Sequence, residues 1–267
     1  MKRKLTGILC LIMALLMVFS LAACGPKEEK KTPEAVKPDD GGKEVATPSR
    51  DTLNLSLVGV VSSLDPTTTI MLVDVEIYHH IYESLYFVDD YSQAHPRLAL
   101  SHTVSSDGKT YVFTMRQDAY FHNGDQVTAA DAEFSFKRAM ESGVMAPYVN
   151  GIESVEATGD FEFTIKLVQP YTPFLANSTN VVIYSKRAFE EAGDKFGSAP
   201  SGAGSGPYMV KSYDGNVRVE LEAFPDYYLG EAPIKYVNYI IMSDINARLI
   251  AFEKGELDFI PVPNANW

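Results

Sequence analysis

"DAYFHNGDQVTAADAEFSF", residues 118–136, decides how this chain is read. It gathers Asp118, His122, Asn123, Asp125, Asp131 and Glu133 within one short stretch. Such a group either performs metal or acid–base chemistry or builds a turn that starts a helix. The spacing favours the turn. Thr128-Ala129-Ala130-Asp131 has the form of a capping box, with Asp where Glu is usual. Ala132, Phe136, Ala139 and Met140 then share one helical face. Glu133, Lys137, Arg138 and Glu141 fall elsewhere, and Phe134 sits off the main stripe. Asp131 stands near the helix N-terminus, where negative charge stabilises by about 0.3–1 kcal/mol. Asn123-Gly124 is a tight-turn dipeptide. A calcium loop would need Asp or Asn where Tyr120 stands. A zinc site would need a second nitrogen or sulfur ligand beside His122, and the stretch has none.

Outward from this stretch, strand-like and helix-like segments alternate. "LNLSLV" (Leu53–Val58), "KTYVFTMR", "FEFTIKLV" and "VVIYS" read as strands. Leu72–Val88 reads as a helix with two apolar stripes, one through Ile77, Ile81, Leu85 and Val88 and the other through Leu72, Val75, Tyr82 and Tyr86. "GNVRVELEAF" and "KYVNYIIMS" read as paired strands. Asp244 caps a helix to about Lys254, Gly255 stops it, and "LDFIPV" reads as a last strand. Strands mixed with helices and no internal repeat indicate an α/β (mixed α+β) architecture.

The N-terminus carries a different message. Lys2, Arg3 and Lys4 precede an apolar run from Leu5 to Ala23 that ends in Leu21-Ala22-Ala23-Cys24-Gly25. That order describes an export signal, residues 1–23, and the cysteine after small residues makes it resemble a lipoprotein signal. The resemblance implies diacylation of Cys24 and cleavage before it. Residues 25–50 hold no aromatic, Leu or Ile, and their six basic and six acidic residues cancel. This composition reads as a tether, with a reach of roughly 28 Å as a flexible coil. Two acyl chains suffice for stable anchoring.

Residues 51–267 form the folded part. Cys10 leaves with the signal and Cys24 carries the lipid, so the folded part has no thiol, disulfide or cysteine-based metal site. Of the chain's 23 basic and 35 acidic residues, the first 50 positions hold nine and six. The folded part therefore carries 14 against 29, a net of −15, which disfavours nucleic acid as a partner.

Other candidate sites fail on their own spacing. "GAGSGPY" (Gly202–Tyr208) has Ala203 and Pro207 where a nucleophile elbow needs glycines, and no phosphate-loop lysine follows. Glu76, His79, His80 and Glu83 offer one half of a di-iron ligand set without the second copy. His95 and His102 are isolated. No nucleophile stands with a base, so the reading is not an enzyme and needs no cofactor.

"DGKTYVFTMRQDAYFHNGDQVTAADAEFSFKRAM" (Asp107–Met140) closely resembles a signature of the family 5 extracellular solute-binding proteins, the oligopeptide, dipeptide and nickel receptors of ABC importers. "SSLDP", "IYESLY", "ALSHTVSSDGKTY", "IESVEATGDFEFTIKL", "TPFLAN", "GSGPYMV", "FPDYYLG" and "NARLIAFEKGELDFI" extend the match over residues 51–263. Ser205 stands where Thr is usual and Tyr228 where Trp is common. The resemblance implies a periplasmic-binding-protein-like type II fold, here the N-terminal lobe of a two-lobed architecture. Members are roughly twice this length, and the second lobe, with the acid that holds a peptide's amino terminus, is expected to be missing from residues 51–267. The loop after the first strand, Val61, Ser62, Ser63 and Leu64, is expected to line the ligand cleft, with Asn177 and Thr179 near it.

The implied protein is a lipid-anchored receptor on the outer side of the cell membrane. Its partners are short peptides and ABC permease subunits. Two alternatives stand beside it. One is a receptor of the same family for a nickel–chelator complex or another small solute. The other is an exported interaction lobe, or a degenerate receptor, without transport activity.

Overall fold

The computed structural model describes residues 51–91 and 93–262. The signal, Cys24 and the tether lie outside the described residues. The elements run β1 (Thr52–Leu57), α1 (Leu72–Ile81), β2 (Glu83–Ser84), β3 (Tyr86–Val88), β4 (Ala94–Pro96), β5 (Ala99–Val104) and β6 (Thr110–Met115). Next come α2 (Ala129–Glu141), α3 (Ala146–Val149), β7 (Ile152–Gly159), β8 (Glu162–Leu167), α4 (Phe174–Ser178), β9 (Val182–Ile183) and α5 (Lys186–Ala192). The last are β10 (Tyr208–Asp214), β11 (Arg218–Ala223), β12 (Tyr236–Ile241) and α6 (Ile245–Glu253).

Two four-stranded sheets organise these elements. The first has order β1-β12-β11-β10, with β1 parallel to β12 and the other pairs antiparallel. The second is antiparallel, with order β5-β6-β8-β7. Each sheet builds its own core. Against the first, α1 buries Ile77 and Ile81 among Leu57, Val219, Leu221, Val237 and Tyr239. Against the second, α2 buries Ala132, Phe136 and Ala139 over Phe113, Phe163 and Ile165. The Phe113 and Phe163 rings stack at 5.0 Å between centroids, at paired positions of β6 and β8.

Phe134, the residue off the main stripe of α2, turns into the other core. There it meets Tyr184 and Phe189. One helix therefore joins both cores.

The helix expected over Leu72–Val88 ends at Ile81, and Tyr82 is already extended, with φ −119° and ψ 156°. Beyond it, β2 pairs with β9 and β3 pairs with β4. The Ile81 carbonyl accepts the Gly206 N–H at 3.1 Å, so a distant loop terminates the helix. Leu85 and Tyr86 are buried as expected, Leu85 from a bend and Tyr86 from β3, whereas Leu72, on the same expected stripe as Tyr86, is exposed. "LDFIPV" shrinks to a single parallel bridge between Phe259 and Leu55, on the β1 edge away from β12. Pro261 lacks the N–H that would lengthen such a ladder. The helix cap at Asp244 forms, its carboxylate taking the Ala247 N–H at 2.8 Å.

Phe136 is fully buried at the centre of the second core. Phe136→Ala is expected to lower unfolding free energy by about 3–5 kcal/mol in urea denaturation. A loss below about 1 kcal/mol would show that α2 does not hold this sheet.

Candidate functional site

The opening cluster resolves into structural partners. Asp131 accepts the Thr128 N–H at 3.1 Å and the Thr128 hydroxyl at 2.7 Å, and its other oxygen accepts the Lys186 N–H at 3.1 Å. The capping box thus also ties α2 to α5. Asp118 pairs with Arg116 at 2.7 Å, which holds its carboxyl below the usual range. Asn123 and Asp125 close the turn on each other. Glu133 pairs with Lys137 and accepts the Ala157 N–H at 3.0 Å. Among the described residues no group of three metal-ligating side chains comes together.

His122 latches the "GAGSGPY" loop. Its backbone N–H donates to the Gly204 carbonyl at 2.7 Å, and its ring Nε2 bonds the Gly206 carbonyl at 2.9 Å. A Cβ on Gly204 would lie 1.8 Å from the Ile81 carbonyl oxygen, so only glycine permits this approach. Burial pushes the His122 pKa down to about 4, against the opposing pull of the Gly206 bond. The Ser205 hydroxyl is buried without a partner among the described residues.

The loop after β1 is the other specialised segment. It is held by side chains and by two backbone carbonyls from elsewhere. Tyr213 donates its hydroxyl to the Val61 carbonyl at 2.9 Å, and Tyr82 donates to the Leu64 carbonyl at 2.9 Å. Tyr78 spans the Ser63 and Asp65 carbonyls at 3.2 and 3.1 Å. Burial pushes the Tyr78 and Tyr82 hydroxyls well up, so both remain donors at any physiological pH. The fully buried Asp74 accepts the Ser62 N–H, the Ser62 hydroxyl and the Thr69 hydroxyl, each at 2.7 Å. The Val61 N–H goes to the Gly215 carbonyl and the Leu64 N–H to the Gly197 carbonyl. Gly197 has φ +84°, and a Cβ there would come within 2.8 Å of Asp65. Two backbone groups of Val61–Leu64 remain without a partner among the described residues, the Ser62 carbonyl and the Ser63 N–H. Just before them, Val58 and Val60 are about half exposed.

Val61 and Leu64 are buried, Ser63 is half-buried and Ser62 is exposed. Asn177 donates to the Tyr171 hydroxyl at 3.1 Å, and Thr179 donates to the Ala176 carbonyl at 2.7 Å. The expected site residues do not share one cavity. Leu64 lines a cavity of about 210 Å³ with His122 and Pro200. Asn177 lines one of about 330 Å³ with Tyr171, and Thr179 one of about 400 Å³ with Arg97 and Tyr227. The tyrosines, Asp74 and the glycines that shape the loop were missed from sequence. Their spacing along the chain carries no signal of the loop that they hold.

His122 also generates a pH dependence. Its folded pKa of about 4 lies below its ordinary value of 6.5, so the unfolded chain binds the extra proton between them. Its contribution is present above 6.5 and is lost as pH falls toward 4. His122→Asn is expected to flatten the decline of Tm over that window. An unchanged slope would show that His122 is not what titrates.

Comparison with known proteins follows the same outline. The family model for bacterial extracellular solute-binding proteins, family 5 Middle, matches residues 93–267. A dipeptide-binding protein of Lactococcus lactis subsp. cremoris is 28% identical over 239 residues, covering 80% of this chain and 44% of its own length. The solved oligopeptide-binding protein AppA of Bacillus subtilis, in complex with a nonapeptide, aligns with TM-score 0.76 at 23% identity, over 80% of this chain and 44% of that one. NikZ of Campylobacter jejuni, in complex with Ni(L-His), aligns with TM-score 0.69 at 23% identity, over 78% and 43%. The chain spans about half the length of the curated relatives it matches. The fold is mixed α/β of the type II periplasmic-binding-protein-like kind. The chain belongs to the family 5 extracellular solute-binding proteins.

Proposed function

We propose that this chain is the substrate-binding component of an ABC importer, that it captures short peptides, and that it is held at the membrane by lipid on Cys24. One observation carries the peptide reading. The loop after β1 is fixed in shape yet leaves the Ser62 carbonyl and the Ser63 N–H without a partner among the described residues. They are the two ends of one trans peptide unit and point in opposite directions, so either one, but not both together, can meet the main chain of an extended peptide. Val61 and Leu64 seat the loop in the core, while Ser62 and Ser63 meet the ligand. Asn177 and Thr179 belong to its margin.

A second reading rests on the relative in complex with Ni(L-His). In that reading the same loop serves a metal–chelator complex or another small solute. Amide shifts in labelled residues 51–267 discriminate the two. Trialanine is expected to shift the amides of residues 58–64, with a dissociation constant weaker than micromolar, because relatives are about twice this length. Micromolar or tighter binding would overturn the expected weakness, and shifts elsewhere only would sink the assignment of the peptide to this loop. Paramagnetic broadening at residues 58–64 by nickel–histidine, without a response to trialanine, would favour the second reading.

The anchor has its own test. Among the described residues no helix is long and apolar enough to cross a membrane. Cys24→Ser is expected to abolish palmitate labelling and to change the membrane-bound fraction. Retained labelling would disprove lipidation at Cys24.

A further inference from the structure

We propose that Arg138 is a positioning residue for the ligand-facing loop, acting through Asp65. The guanidinium is fixed from three sides. Its Nη2 bonds Asp65 Oδ2 at 2.7 Å, and its Nη1 reaches Asp65 Oδ1 at 3.3 Å and the Tyr184 hydroxyl at 2.8 Å. The Phe189 ring lies 4.2 Å below its Cζ, with Tyr184 and Phe196 each at 5.6 Å. A bidentate, stacked arrangement of this kind fits arginine and not lysine.

Asp65 passes that restraint on. Its side chain faces α2 through Arg138, its carbonyl takes the Tyr78 hydroxyl, and its N–H donates to Ser63 Oγ at 3.0 Å. The same Tyr78 hydroxyl holds the Ser63 carbonyl. The position of the free Ser63 N–H therefore depends on where Asp65 sits. Thr67 adds its N–H and hydroxyl to Asp65 Oδ1 at 3.0 and 2.8 Å, and Ser142, after α2, donates to the Thr67 carbonyl at 2.6 Å. Arg138 touches none of residues 61–64 itself in these bonds. Its effect on ligand is indirect, and this step rests on the loop being the ligand surface.

Amide hydrogen exchange on labelled protein tests the restraint without any ligand. Arg138→Met is expected to lower protection of the Leu64, Asp65 and Thr67 amides by about tenfold or more. Amides of β1 and β12 should keep theirs, and Arg138→Lys should retain part of the loop protection. Unchanged loop protection, or equal loss across both sheets, would overturn the proposal. Trialanine titration separates the two readings. If wild type responds, Arg138→Met should weaken the apparent affinity by about tenfold, and equal affinity would overturn the positioning role. If wild type gives no response while local protection still falls, the peptide reading fails and the restraint by Arg138 stands.

Discussion

The bidentate pair between Asp65 and Arg138 is the constraint on which the rest of this fold depends. Asp65 belongs to the loop that leaves the first sheet, and Arg138 to the helix that covers the second. A largely buried ion pair is weak support for net stability, because desolvation offsets much of its attraction. Its contribution is geometric. It sets how the loop meets α2, and the two hydrophobic faces of α2 then set how the cores meet. Phe136 packs into one and Phe134 into the other.

Around that pair the polar groups form a scaffold. The carboxylates Asp74, Asp131 and Glu133 spend their oxygens on backbone N–H groups, on hydroxyls and, for Glu133, on the Lys137 ammonium. Glu83 is similar. It is buried beside Tyr227, whose hydroxyl donates to it, and desolvation pushes its carboxyl up while that bond opposes the rise. His122 holds a glycine-rich loop whose close approach to α1 no other residue type would allow.

Much of the fold was legible in the sequence. The alternation in β6, β8, β11 and β12, the Thr128–Asp131 box and the Asp244 cap all rest on local rules, and local rules survive folding. What misled was Leu72–Val88, where apolar residues at helical spacing continue into two short strands. The carbonyl of Ile81 is captured by Gly206, 125 positions away by simple subtraction, and no periodicity reports such a partner. The site divided in the same way. The resemblance points to the loop after β1 as an expectation only, and the residues that give the loop its shape come from α1 and the residue after it, the turn at Gly197, β10 and the turn after β10. Their functional importance lies in hydroxyls and glycines whose targets exist only in three dimensions.

Holding a loop by its backbone from outside separates form from preference. The shape of Val61–Leu64 is written in Tyr78, Tyr82, Tyr213, Asp74 and Gly197, none of them in the loop. Side chains at the exposed neighbours Val58 and Val60 are free of that duty. Those two side chains can change while the frame around residues 61–64 stays as it was. A loop held this way can change its surface without changing its shape.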